Sequence, residues 1–170
     1  MKKFIITADI HGSYNGWLTI TSLMGPQDSL VVAGDLFDTI YGSYTNADYQ
    51  PEAIKSALSS FPHPFYYVYG NCDSPRFFPG FEENTVINAF EKTIFLHHGH
   101  RKMDGTVSAD IVIQGHTHCC FLEKKGSRIF LNPGSIVRPR NALASYGVID
   151  QSGASLVELK TGQELARINF

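Results

Sequence analysis

Phe4-Ile5-Ile6-Thr7-Ala8-Asp9-Ile10-His11 opens as a β-branched, mostly apolar run and stops abruptly at an acid and an imidazole. A short run of this kind, with little polar alternation, reads as a buried strand. Its end carries two metal-competent side chains, Asp9 and His11. The same arrangement recurs four times further along. Leu30–Ala33 is followed by Gly34-Asp35, and Phe65–Tyr69 by Gly70-Asn71. Thr93–Leu96 runs into His97-His98-Gly99, and Ile111–Ile113, after Gln114-Gly115, into His116-Thr117-His118. Ligands of open α/β sheets bind outside the carboxyl ends of the strands. If these strands share one sheet and run mostly parallel, Asp9, His11, Asp35, Asn71, His98, His116 and His118 meet in one pocket.

Turn and helix signals fill the gaps. Trp17 to Met24 reads as a helix closed by Gly25-Pro26, and Pro51 to Ser60 as a second, with proline at its start and Phe61-Pro62 beyond its end. The first half is therefore β-α-β-α-β, the signature of a parallel sheet. The second half offers short strands at Phe121–Glu123, Ile129–Leu131, Ser145–Ile149, Ser155–Leu159 and Leu165–Ile168, with hairpin signals at Lys125-Gly126 and Ser152-Gly153. That pattern predicts a β-meander forming a second sheet against the first. The fold class is thus α/β (α+β), with two β-sheets and flanking helices. No repeat or low-complexity linker divides the chain, so residues 1–170 are expected to form a single domain.

The chain has 170 residues, 43% of them hydrophobic and 18% charged, enough to bury a sizeable core without staples. A net charge of −2 argues against a dedicated nucleic-acid binder, which would show a basic face. The three cysteines, Cys72, Cys119 and Cys120, are odd in number and two are adjacent, which speaks against a disulfide framework and for a reducing compartment. Met1-Lys2-Lys3-Phe4 starts like a signal peptide, but the apolar run breaks at Asp9. No segment reaches the ~20 apolar residues of a membrane span. A cytoplasmic protein with no membrane partner is expected.

Asp, Asn and His supply oxygen and imidazole donors with no thiolate among them. That set suits Mn²⁺, Fe or Zn²⁺ in a catalytic role rather than a structural Cys₄ zinc site. Seven donors are too many for one open ion and about right for two ions that share a carboxylate. Glycines at 34, 70, 99 and 115 stand beside these residues, where the backbone must turn sharply to aim a side chain. Each motif alone is weak, because such short patterns arise by accident. Their joint occurrence, each at a strand end, is not easily accidental.

Asp9-x-His11, Gly34-Asp35-x-x-Asp38, Gly70-Asn71-Cys72-Asp73, His98-Gly99 and Gly115-His116-x-His118 resemble the motif series of the calcineurin-like metallophosphoesterases. The resemblance is closest to the small YfcE-type phosphodiesterases, through Gly-Asn-Cys-Asp, His98-Gly99-His100, Asn132-Pro133-Gly134-Ser135 and Ala144-Ser145-Tyr146-Gly147. It implies two mixed β-sheets packed as a sandwich flanked by helices. It implies one metal held by Asp9, His11, Asp35 and His118, and a second by Asp35, Asn71, His98 and His116. Asp35 would bridge, with Asp35, Asn71 and His98 closest to the chemistry. Mn²⁺ is the first expectation, with Fe, Zn or Ni as alternatives. The implied reaction is in-line attack of a two-metal-bridging hydroxide on a small phosphodiester. Asp38 and Asp73 are candidates to orient histidine ligands, and Cys72 and His100 to line the substrate site. A homo-oligomer is an allowed assembly.

Two departures from the wider superfamily bear on substrate. Thr39-Ile40 stand where many phosphomonoesterases carry Arg-Gly after Gly-Asp-x-x-Asp, and Cys72 stands where many carry His. A thiol is a poor acid and has no positive charge at neutral pH. Both changes weaken binding of a dianionic monoester more than of a monoanionic diester. The rival readings are a phosphomonoesterase or nucleotidase, a nuclease, and a non-catalytic scaffold like the retromer's metallophosphoesterase-like subunit. A scaffold would be marked by lost metal ligands, and none is lost here. Asn132 to Ser135 reads as a structural turn, Arg138 and Arg140 as solvated, and Tyr41 to Tyr49 as a polar stretch of open role.

Overall fold

The computed structural model describes residues 2–41, 46–102 and 108–170. Its first three strands and two helices follow the expected alternation: β1 (Phe4–Thr7), α1 (Tyr14–Ser22), β2 (Ser29–Val32), α2 (Pro51–Leu58) and β3 (Phe65–Tyr67). β1 pairs parallel with β2, and β2 with β3. The first helix starts three residues before the expected Trp17, because Ser13 caps it by accepting the Gly16 N–H at 3.0 Å. Pro51 opens α2, where its missing N–H costs nothing.

The second half departs from a simple meander. β4 (Asn84–Ala89), β5 (Lys92–His97), β6 (Ile111–Ile113), β7 (Phe121–Lys125) and β8 (Arg128–Asn132) form a five-stranded sheet in the order β4-β5-β6-β8-β7. β9 (Ser145–Asp150), β10 (Gly153–Glu158) and β11 (Glu164–Asn169) return to the first sheet, whose order is β11-β10-β9-β1-β2-β3. The five site-bearing strands therefore do not lie in one sheet, as the conditional reading required. β1, β2 and β3 belong to the first sheet, and β5 and β6 to the second. Both sheets are mixed: β9 runs antiparallel to β1, while β5, β6 and β8 are mutually parallel.

Burial explains why β1 carries no polar face. Phe4, Ile6 and Ala8 enter a core shared with Val31 and Ala33 of the first sheet and with Ile94, Leu96, Ile111, Ile113 and Leu131 of the second. Ile5 points the other way, into a cluster with Leu30, Val32, Trp17, Ile20 and Ile54, which α1 and α2 close off. A strand covered on both faces reads as continuous apolar sequence. The sheets thus pack face to face, helices cover the outer face of the first, and the carboxyl ends of β1, β2, β5 and β6 come together at one rim.

Ile6 tests this packing. It is fully buried between the sheets, so Ile6→Ala should lower unfolding free energy by about 2–5 kcal/mol in urea titrations. Val86→Ala, on the edge strand β4 with Val86 51% exposed, should change it by roughly 0.5 kcal/mol or less.

Candidate metal centre

The loops leaving β1 and β2 run side by side and keep bonding past the strands. Asp9 N–H donates to Gly34 O at 3.1 Å, His11 N–H to Asp35 O at 2.8 Å, and Gly12 N–H to Leu36 O at 2.8 Å. Holding the loops this close forces unusual backbone. Asp9, His11, Asp35, Asp38, His116 and His118 all have positive φ, between 50° and 69°. Non-glycine residues rarely adopt that conformation, and when they do it tends to mark a functional site held by its surroundings. Gly70 is required for a different reason: a Cβ there would collide with Asp35 Oδ1 and with the Asp35 backbone nitrogen.

Each carboxylate has one oxygen tied to the backbone and one aimed inward. Asp9 Oδ2 accepts the His116 N–H at 3.0 Å, and Asp35 Oδ1 accepts the Cys72 N–H at 2.8 Å. The remaining oxygens face imidazoles. Asp9 Oδ1 lies 3.4 Å from His118 Nε2 and 4.0 Å from the Nε2 atoms of His11 and His98. Asp35 Oδ2 lies 3.3 Å from His98 Nε2 and 4.0 Å from His11 Nε2. Among the described residues three groups emerge, Asp9 with His11 and His118, Asp9 with Asp35 and His98, and His11 with Asp38 and Cys72, each with ligand atoms within 4.8 Å of one another. Asn71 keeps a buried Oδ1 with no hydrogen-bond partner, next to Cys72. His116 sits at the rim, exposed, with its ring 5.1 Å from that of His98.

The second ring nitrogens fix the tautomers. His98 Nδ1–H donates to Ala33 O at 2.7 Å, and His118 Nδ1–H to Arg138 O at 3.0 Å. His11 Nδ1 lies 3.3 Å from Asp38 Oδ2, the orienting contact expected of Asp38. Rings held this way aim their Nε2 atoms at the centre, as metal-binding histidines do. His11 and His118 bring their Nε2 atoms within 3.2 Å of each other. Two nitrogens bound to one ion at ~2.0–2.1 Å stand ~2.9–3.4 Å apart, so the pair has the spacing of neighbours in one coordination shell. Asp9 Oδ1 is buried without a hydrogen-bond partner. A cation would satisfy it, and the donor set fits one.

Asp73 does something other than orient a histidine. Its buried carboxylate accepts the N–H groups of Leu36 at 3.2 Å, Phe37 at 2.9 Å and Gly70 at 3.1 Å, binding the loop after β2 to the loop after β3. Asn132 and Ser135, which the sequence allows either to turn the chain or to touch the site, brace the centre. Asn132 Nδ2 donates to Gly115 O at 2.8 Å, and the Ser135 hydroxyl to Asp9 O at 2.7 Å. Sequence reading missed Arg138, whose part is played by its backbone carbonyl, a group no residue type advertises. Residues 42–45 of the polar stretch Tyr41 to Tyr49 lie outside the described residues. Its far end contributes Tyr49, whose hydroxyl donates to Asp38 O at 2.9 Å.

Charge follows from this geometry. Burial, with the Asp35 charge beside it, pushes the Asp9 carboxyl up to about 7, despite the opposing pull of His98. Burial also works against ionised Asp35, but the His98 hydrogen bond and charge and the Cys72 N–H outweigh it and hold this carboxyl at about 2. Burial drives His11 down to about 4 and lowers His118 and His116. Asp38 rises to about 6, through burial and then the Asp35 and Asp73 charges. Burial similarly raises the Cys72 thiol, which therefore stays neutral.

Two packed sheets with an Asp, Asn and His cluster at their shared rim define a metallophosphoesterase. Residues 1–153 match the family described as the calcineurin-like phosphoesterase superfamily domain, and the chain belongs to that family. It is 27% identical to the phosphodiesterase YfcE of Escherichia coli K12, over 99% of this chain and 98% of that one. The structure of YfcE, described as a phosphoesterase from E. coli, superposes with a TM-score of 0.83 at 26% identity, covering 98% of each chain. Wild-type Vps29 from Entamoeba histolytica, complexed with Zn²⁺, shares the fold with a TM-score of 0.65 at 20% identity, covering 98% of each chain. The full-length similarity to YfcE supports a phosphodiesterase. No described helix is long and apolar enough to cross a membrane.

The raised Asp9 carboxyl gives a prediction with a definite sign. A folded-state pKa above the unfolded value means that folded protein loses stability relative to unfolded as pH rises from about 4 to about 7. Asp9→Asn removes this penalty and gives His118 Nε2 a donor in place of a second acceptor. In chelator-treated protein at neutral pH, Asp9→Asn should raise the melting temperature by about 2–8 °C, the shift expected for roughly 1–2 kcal/mol. The same variant should lose most of the further rise that Mn²⁺ produces in the wild type. A lower melting temperature in metal-free Asp9→Asn would overturn the reading of Asp9 as a stability-costing ligand.

Proposed function

We propose that the chain is a metal-dependent phosphodiesterase working at two divalent ions. One would be held by Asp9, His11, Asp35 and His118, and the other by Asp35, Asn71, His98 and His116. The observation that carries the reading is the convergence of Asp9 Oδ1, Asp35 Oδ2 and three Nε2 atoms on one buried volume, with their other polar atoms already committed. When bound, a metal pair supplies positive charge to phosphoryl oxygens and activates a water as nucleophile.

The chain's own residues do the rest. Asp35 Oδ2 faces both His11 and His98, which suits a carboxylate shared between two sites. Asp9 Oδ1 comes nearly as close to both sets, so Asp9 is also placed to touch both. Asp38 holds the His11 ring, and the Ala33 and Arg138 carbonyls hold His98 and His118. His116 and His100, with ring centroids 6.3 Å apart, stand on the open side where a substrate would approach. Cys72 is half-buried and its ligand atom lies within 4.8 Å of those of His11 and Asp38, so its thiol faces the centre rather than the core. A neutral thiol there, with Thr39-Ile40 in place of Arg-Gly, leaves little to hold the extra charge of a monoester, and diesters are favoured. The scaffold alternative shares the fold, and Vps29 itself has been crystallised with zinc. Metal content alone therefore does not separate the readings, and turnover must be measured.

Chelator-treated protein should not hydrolyse bis(p-nitrophenyl) phosphate, and Mn²⁺ should restore turnover; full activity in demetallated protein would refute the two-metal mechanism. Asp35→Asn should abolish turnover and lower metal content by elemental analysis from about two ions per chain, the number this mechanism requires. Cys72→His should raise kcat/KM for an aryl monoester more than for an aryl diester. A well-placed general acid is worth ~10²–10⁴-fold, and an unoptimised one much less. An unchanged monoester-to-diester ratio would show that Cys72 does not set the preference.

A further inference from the structure

A cleft of about 560 Å³ opens beside the centre, and the proposed chemistry does not account for it. Asn71 and His100 form its inner end, and each carries a buried side-chain atom with no hydrogen-bond partner, Asn71 Oδ1 and His100 Nδ1. Its walls also include the apolar side chains of Ile40, Tyr69, Pro75 and Phe81. Ile40 is 52% exposed and lines the cleft. Its position is fixed, because Ile40 N–H donates to Cys72 O at 3.0 Å. The outer lip is acidic. Glu82 and Glu83 line it with Arg101, whose Nη1 is 2.6 Å from Glu83 Oε2. Glu83 thus engages the guanidinium and Glu82 leaves the lip net negative. Asp73, at the base, has its carboxylate occupied by backbone N–H groups.

A cleft of this volume is within the range of small-molecule sites, which join apolar walls to a few placed polar groups. Resting on the phosphodiesterase reading above, we propose that it receives one ester arm of the substrate, an uncharged aryl or alkyl group. An arm carrying a further phosphate or carboxylate would meet Glu82 across the lip and be repelled. The substrate class is then a diester with one neutral, partly apolar substituent rather than a nucleotide or nucleic-acid strand bearing additional phosphates. Ile40 and Glu82 act as specificity residues, one through contact and the other through charge.

The test uses phosphinates, whose two P–C bonds resist hydrolysis and whose single negative charge imitates a diester. Dimethylphosphinate, methyl(phenyl)phosphinate and (4-carboxyphenyl)methylphosphinate are titrated calorimetrically into Mn²⁺-loaded protein. The phenyl compound should bind roughly tenfold more tightly than the dimethyl one, the gain expected from burying part of a ring, and the carboxyphenyl compound should lose that gain. Ile40→Trp should fill the cleft and erase the phenyl advantage while leaving dimethylphosphinate affinity unchanged. Glu82→Lys should independently bring the carboxyphenyl compound to within about threefold of the phenyl one. A phenyl advantage that persists in Ile40→Trp, or none in a wild type that binds dimethylphosphinate, would overturn the cleft assignment alone. Failure of every phosphinate to bind metal-loaded protein would overturn the metal-site reading and the cleft with it.

Discussion

Asp9 and Asp35 are buried carboxylates whose inward oxygens face the same imidazoles, and the rim of the molecule is arranged around keeping them there. Two like charges out of water repel each other and lose hydration. The fold offsets this by giving each a backbone N–H on its outer oxygen, from His116 and Cys72. Those two donors come from different sheets, the loop after β6 and the loop after β3. Asp9 is therefore held by the second sheet while its own strand belongs to the first. His98 makes the reciprocal crossing, from the end of β5 to the Ala33 carbonyl beyond β2. The centre is a set of hydrogen bonds across the sandwich, so sheet packing and ligand geometry depend on each other.

Such a centre needs bracing because its backbone is held in a sparsely populated region at six ligand-bearing or orienting positions. Left-handed backbone costs roughly 1–2 kcal/mol per non-glycine residue, and persists only where the surroundings over-determine it. Asp73 supplies part of that constraint by gathering N–H groups from two loops onto one carboxylate. Asn132 and Ser135 supply more from the far side. These three polar side chains stabilise the site without facing it. Replacing any of them would relax the loops before it touched a ligand.

The candidate donors are legible as a group because each follows within a few residues of a buried strand, and strand ends in α/β sheets converge. The convergence held even though the single-sheet premise did not. β5 and β6 crossed to the second sheet, yet their carboxyl ends still meet those of β1 and β2. The division of the second half is not legible, since β7 to β11 are all short strands and nothing local records which sheet a strand joins. β4 escaped notice for two physical reasons. It is an edge strand, half polar and exposed along one face, and its turn to β5 uses Phe90 and Glu91 at positive φ, where Asn-Gly would have signalled a hairpin. The position of Asp73 stands out in the sequence, but its role depends on four backbone donors brought together by folding, which no residue pattern encodes.

Fold and specificity occupy different stretches of this chain. The strand ends that present the donors are also the strands that build the inter-sheet core, so a change in Asp9, Asp35 or His98 disturbs structure and chemistry together. The residues proposed to bear on substrate, Thr39-Ile40, Cys72 and Glu82, lie beyond those ends, and a hydrogen bond from Ile40 to Cys72 joins two of their loops. A loop residue half-exposed at the mouth of a cleft can change size or charge with little effect on the core beneath it. The same sandwich can therefore carry different substrate preferences while the fold is kept, as it is in YfcE and Vps29. Likeness of fold then says where the chemistry sits. What it acts on must be read from the few side chains that stand between the metal ligands and solvent.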